Sequence, residues 1–211
     1  MASQKEYRSI RRRDCDRFVE KKSEFIGYAS PVTDEESALA FIGEIRKRHS
    51  DATHNVYAYI LQGTEIARCS DDGEPSGTAG MPVLEVIKRE NLTGVCVVVT
   101  RYFGGILLGA GGLVRAYAKA AKMAVDKAGI CTFRLFTEFD LACNYADHEK
   151  IKRDLSAQQV KCDGTDFDSK VVLHLACRHD RYDAFCRYAE NLTNGRARLS
   201  PTGERYDADE E

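Results

Sequence analysis

The stretch from residue 94 to residue 128 constrains the fold more than any other part of the chain. It begins with GVCVVVT (94–100), a nearly unbroken apolar run that reads as a buried strand, too apolar for a sheet edge. It continues through Arg101-Tyr102-Phe103 into five glycines within nine positions: Gly104, Gly105, Gly109, Gly111 and Gly112. It ends in a predicted helix over Leu113–Ala128, whose many alanines let it lie close to a sheet or another helix.

Upstream, strand and helix patterns alternate. Phe25–Val32 reads as a strand and Asp34–His49 as a helix with apolar positions at Ala38, Leu39, Ile42 and Ile45. Thr33 precedes three acids, so it is the expected hydroxyl cap of that helix. His54–Leu61 and Glu65–Cys69 form a predicted hairpin across Gln62-Gly63-Thr64, and Gly80–Glu90 is predicted helical. From Phe133 a second unit follows: strand Phe133–Asn144, helix Ala146–Ala157, hairpin Val160–Phe167 with Lys170–His179, helix Arg181–Leu192 capped by Gly195, and a strand within Arg196–Tyr206. That order, βαββαβ, is the ferredoxin-like split βαβ arrangement. The expected class is α/β (α+β) in two domains, 1–131 and 132–211.

Charge removes several function classes. Lys and Arg number 31 against 33 Asp and Glu, and a net charge of −2 gives no bulk field for a polyanion. Residues 1–132 are net +2 and residues 133–211 net −4; the first 22 residues carry +4 and the last seven −3, both reading as solvated or mobile termini. No apolar run approaches the ~20 residues of a membrane-spanning helix, and the charged first residues lack the apolar centre of a secretory signal. The expectation is a soluble, cytoplasmic protein. Eight dispersed cysteines without a C-x-x-C pair read as reduced thiols. In His174-x-x-Cys177-x-His179, strand alternation points His174 away from the other two, so no metal set is expected. Phe133, Phe136 and Phe139 do not share one strand face, which suits core and interface better than base stacking.

Two polar, glycine-rich loops hold the chemistry. In Ser70–Gly80, the carboxylates Asp71, Asp72 and Glu74 could bind a cation or serve as acid and base, with His54 facing the same cleft as a general base. The same residues populate ordinary turns, and Gly73 and Pro75 favour that reading. A lone histidine opening a strand is also more often structural. There is no G-x-S-x-G elbow and no H-E-x-x-H.

The second loop, Arg101–Gly112, runs from a strand end into a helix start. It aims backbone N–H groups and the positive helix end at one point, with Arg101 and Arg115 on its flanks. One reading is an anion site for phosphate or carboxylate, using Arg101, Gly104, Gly105, Gly109, Gly111, Gly112 and Arg115. The other is a folding requirement for close packing and positive φ. No G-x-x-x-x-G-K-[ST] occurs, and Val114 breaks G-x-G-x-x-G, so no nucleotide cofactor is expected.

The runs SDDGEPSGTAGMPVLEVI (70–87) and VVVTRYFGGILLGAGGLVRAYAKAA (97–121), with ATHN (52–55) and SEFIGYASPV (23–32), strongly resemble the IMPACT/YigZ family. These motifs are long and specific, and they cover residues 20–130; the two-domain layout is similar to bacterial YigZ-type members. The resemblance implies a first domain folded like domain IV of translation elongation factor G and a second like its domain V. It also implies a role in translation. Eukaryotic relatives bind a ribosome-associated activator of a starvation-responsive kinase, and a ribosome or RNA-related role is suggested for bacterial members. Some members are labelled proline dipeptidases, which the residues above do not support. Two departures stand out: Val56 follows His54-Asn55 where many members have Cys, and Met81 replaces a commonly basic residue, removing a positive charge beside the anion site.

Three functions follow as expectations. The first is a non-enzymatic translation regulator that binds RNA, the ribosome or a ribosome-associated protein through the Arg-flanked loop. The second is a peptidase-like hydrolase using His54, Asp71, Asp72 and Glu74, with Arg101 stabilising an anion. The third is a protein–protein adaptor that offers the acidic second domain.

Overall fold

A computed structural model describes residues 6–208. It is a mixed α+β protein that divides into two units, one ending at Thr132 and the other starting at Phe133.

The first unit contains β1 (Glu6–Ile10), β2 (Asp14–Glu20), β3 (Ser23–Pro31), α1 (Glu35–Arg48), β4 (His54–Ile60), β5 (Ala67–Ser70), α2 (Gly80–Arg89), β6 (Val95–Tyr102) and α3 (Ala110–Ala128). Five strands form a sheet in the order β2-β3-β6-β4-β5, every neighbouring pair antiparallel. The apolar run is therefore the central strand. Val95, Val97 and Val99 pack with residues of α2 and α3 on one face, while Cys96 and Val98 pack with Ala38, Phe41, Ile42 and Ile45 of α1 on the other. Alternation vanishes from its sequence because both faces are covered.

The alanines of α3 do what their size suggests. A Cβ built on Gly27 of β3 would lie 2.3 Å from the Ala120 carbonyl oxygen, so this helix backbone rests directly on the strand backbone. Ala116, Ala120, Ala121 and Ala124 are all buried there.

The second unit comprises β7 (Ile130–Cys143, entered from the first unit), α4 (Tyr145–Asp154), β8 (Val160–Phe167), β9 (Val171–Arg178), α5 (Tyr182–Thr193) and β10 (Arg198–Ala208). β10, β7, β9 and β8 lie side by side in that order, all antiparallel, which is the ferredoxin-like order. Phe139, Leu141, Leu173 and Leu175 of the sheet share a core with Ile151 of α4 and Phe185 and Ala189 of α5.

Several expectations need correction. The charged amino-terminal segment is not a solvated tail over its described part: Glu6–Ile10 and Asp14–Glu20 are strands, and residues 1–5 lie outside the described residues. Arg205–Ala208 likewise belongs to β10, and residues 209–211 lie outside the described residues. Asp34, not Thr33, caps α1: its carboxylate accepts from Ser37 N at 2.7 Å and the Ser37 hydroxyl closes a capping box. α3 starts at Ala110, so Gly111 and Gly112 form its first turn rather than the loop before it. Among the described residues no helix is long and apolar enough to cross a membrane.

Candidate functional site

Sheet register brings the first candidates together. Phe25 of β3, Arg101 of β6 and His54 of β4 lie abreast, because Arg101 pairs with both of the others. The loop after β5 then folds over this row, and its three carboxylates part company.

Asp71 turns toward α2. Its Oδ1 accepts from Ala79 N (3.0 Å) and Gly80 N (2.8 Å), and its Oδ2 from Gly77 N (2.9 Å). Ala79, the cap residue of α2, has no capping side chain, so Asp71 supplies from a distance the acceptor the helix start needs. Burial pushes the Asp71 carboxyl up, but the N–H donors of Gly77, Gly80 and Ala79 outweigh it and hold the group below its ordinary value.

Asp72 pairs with Arg46 at 2.6 Å and accepts from Asn55 N at 2.7 Å. Its carbonyl lies 2.8 Å from His54 Nδ1. A carbonyl only accepts, so Nδ1 carries a proton and Nε2 faces Glu74, 3.8 Å from its Oε1.

Glu74 is the buried member, with 3% of its side chain exposed. Its Oε1 takes Arg101 Nη1 at 2.6 Å and the Tyr117 hydroxyl at 2.7 Å. Burial, reinforced by Glu74, pushes the Tyr117 hydroxyl far above its ordinary range, so it remains a donor. Arg101 Nη2 reaches the Ser23 hydroxyl at 3.4 Å, and the guanidinium carbon sits 5.4 Å from the ring centres of both Phe25 and Phe103.

The structure thus gathers His54, Glu74 and Arg101, adds Tyr117 and Ser23, which sequence reasoning missed, and sends Asp71 and Asp72 to other work. Glu74 Oε1 thus accepts from two donors at once, a guanidinium and a phenol, which holds the carboxylate in place. His54 is the partly exposed member of the set. Among the described residues no group of three His, Cys, Asp or Glu side chains could hold a metal ion.

The glycine-rich segment has a different character. Gly104 is pressed against β3: a Cβ there would lie 2.0 Å from the Lys22 carbonyl, and its N–H donates to Ser23 Oγ. Gly105 and Gly109 have φ of +82° and +73° and face open space. Between them the segment projects outward, with Leu107 81% exposed and Ile106 also exposed, and Phe103 just before Gly104 is exposed as well. Gly109 caps α3 without a side-chain acceptor, and the first turn carries no acid. Arg115 Nη1 lies 3.6 Å from where a Cβ of Gly111 would stand. The two arginines expected on the flanks of an anion site differ in their surroundings. Arg101 is buried and paired with Glu74, whereas Arg115 is exposed beside the first turn.

Residues 21–125 match the Impact N-terminal domain, and residues 141–196 match a domain of unknown function, DUF1949. IMPACT family member YvyE of Bacillus subtilis (strain 168) is 39% identical over 180 residues, 85% of this chain and 83% of that protein. IMPACT family member YigZ of Escherichia coli (strain K12) is 32% identical over 182 residues, 85% of this chain and 89% of its own length. A crystal structure of a hypothetical protein superimposes with a TM-score of 0.60 at 29% identity, covering 95% of this chain and 99% of that one.

Proposed function

The chain belongs to the IMPACT family, and from that premise we propose that it is a translation-associated regulator that works by binding rather than by catalysis. Its contact surface is the projecting segment 103–112 with Arg115, and its partner is the ribosome, engaged through RNA. The observation that carries this reading is the outward loop itself. Exposed Ile106 and Leu107 hang between two glycines of positive φ, Gly105 and Gly109, with exposed Phe103 just before them, next to uncapped helix amides and an exposed guanidinium. Apolar side chains beside amides and an arginine suit a surface that meets bases and phosphates together.

Cosedimentation of the full chain with purified ribosomes tests this. Association is expected at low salt and is expected to weaken modestly as salt rises, because few phosphates are neutralised. Leu107→Asp combined with Arg115→Glu should reduce it at least ~10-fold, the size expected when stacking and phosphate contacts are both lost. Absence of association at low salt would overturn the reading. A hydrolase reading draws support from one feature, the fixed tautomer that aims His54 Nε2 at Glu74. Turnover of a dipeptide panel that His54→Ala abolishes would favour it over the binding role.

A further inference from the structure

Beside the projecting loop the first unit has a small cleft, lined by Phe18 and Glu20 of β2, Lys21 of the turn that follows, Leu108 before α3, and Gly112, Arg115, Ala116 and Lys119 of α3. Its volume is about 150 Å³. A cavity of that size holds a benzene-sized body, so a phosphate with a short carbon stem fits while a nucleic-acid chain does not.

Its lining is rich in charge, three cations and one carboxylate among eight residues. Among the described residues none of Lys21, Arg115 and Lys119 makes an ion pair. Each is held in place by something else. Lys21 and Lys22 form the two-residue turn between β2 and β3, with φ of +46° and +64°, where Asn-Gly is the usual occupant. The Lys119 ammonium sits 4.2 Å over the Phe18 ring, and Arg115 folds back along the first turn of α3. Three cations face one carboxylate, Glu20, leaving two positive charges in a cleft whose remaining wall is Phe18, Leu108 and Ala116.

We propose that this cleft binds a compact phosphate monoester, a phosphorylated molecule of a few carbons. A monoester carries −1.5 to −2 charges near neutral pH, which matches the lining; a carboxylate carries half that. Glu20 opposes a second anionic group on the same ligand, so bisphosphates and phospho-acids are disfavoured. The carbon stem lies against Phe18 and Leu108. The cleft shares Leu108, Gly112 and Arg115 with the proposed ribosome-binding surface, whereas Phe18, Glu20, Lys21 and Lys119 lie outside it, so the proposal concerns a regulator that also responds to a small molecule.

Isothermal titration of the full chain with sn-glycerol 3-phosphate at low salt tests it, with glycerol, inorganic phosphate and 3-phosphoglycerate as comparators. Glycerol 3-phosphate is expected to bind more tightly than inorganic phosphate and 3-phosphoglycerate, and glycerol not at all. Arg115→Gln and Lys119→Gln should each weaken binding about tenfold, the effect of one lost charge-assisted contact. Glu20→Gln should raise affinity for 3-phosphoglycerate, a gain that misfolding cannot produce. Lack of glycerol 3-phosphate binding at millimolar concentration would overturn the proposal, as would binding indifferent to these three changes. So would binding of an RNA oligonucleotide at this cleft without binding of the monoester. Lys119→Gln leaves the projecting loop intact, so ribosome cosedimentation of that variant separates failure of this site from failure of the translation role.

Discussion

Two arginines bracket the glycine-rich segment of the first unit, one on the central strand and one on a helix, in opposite surroundings. Arg101 has lost its water and gained Glu74, Ser23 and two aromatic faces. Arg115 keeps its water and has no carboxylate partner among the described residues. A charge can leave solvent only with a counter-charge and hydrogen bonds around it, so the buried arginine is committed to the fold. The exposed one is available to something outside. Sequence position next to glycines is common to both and decides neither.

The sharpest way to break this comparison is to remove each side chain in turn. Arg101→Ala should cost about 3–5 kcal/mol, because it strands the buried Glu74 carboxylate without its cation. Arg115→Ala should change stability by no more than about 0.5 kcal/mol. Urea unfolding of both variants measures the contrast, and equal losses would mean that the two sites are alike in hydration. Replacing Arg101 and Glu74 together by Met and Leu, with Tyr117→Phe so that no buried hydroxyl is left unpaired, should recover much of the loss.

A middle case is Asp71, a charge satisfied by backbone rather than by a cation. Asp71→Ala leaves the Gly77, Ala79 and Gly80 amides without their acceptor and should cost about 1–3 kcal/mol. Its folded carboxyl lies below its ordinary value, so this stability is present above pH ~4 and is lost as pH falls through the lower folded value. Acid unfolding followed by circular dichroism should show a flatter approach to low pH in the variant. A parallel curve would remove Asp71 from the account.

A smaller loss than at Arg101 or Asp71 is expected in the second unit, where His174 bridges Asp140 Oδ1 at 2.7 Å and Asp166 Oδ2 at 3.1 Å on the sheet surface. Asp140 first, then Asp166, raise its pKa above the ordinary 6.5. The stabilisation is therefore complete below pH ~6.5 and disappears as pH rises through the folded value. Being exposed, the bridge should contribute less than about 1 kcal/mol. The melting-temperature difference between the wild type and His174→Gln should shrink from pH 6 to pH 8, and a constant difference would contradict the assignment.

Much of the architecture was legible from period and punctuation. Residues 94–100 announced a doubly covered strand, alanines announced a close-packed helix, and βαββαβ order announced the second unit. β2 escaped notice because four of the seven residues of this edge strand, Asp14–Glu20, are charged, so its sequence looks like a tail. The cap of α1 was displaced by one residue because Ser37, not a first-turn acid, completes the reciprocal pair with Asp34. Site residues were legible as types but not as roles. Asp71, Asp72 and Glu74 are equivalent in a turn-rich loop until the chain brings helix amides to the first, Arg46 and Asn55 N to the second, and Arg101 with Tyr117 to the third. Ser23 and Tyr117 carry no local signal, since only strand register and helix packing bring them to Arg101 and Glu74.

The contact between Gly27 and the Ala120 carbonyl reaches further than the core in which it sits. With no atom to spare between strand and helix, α3 cannot slide or lift, and the gap between its first turns and the Lys21–Lys22 corner is set before any guest arrives. A single methyl added at residue 27 would act as a wedge, prising that gap apart from beneath without touching one of the groups that line it.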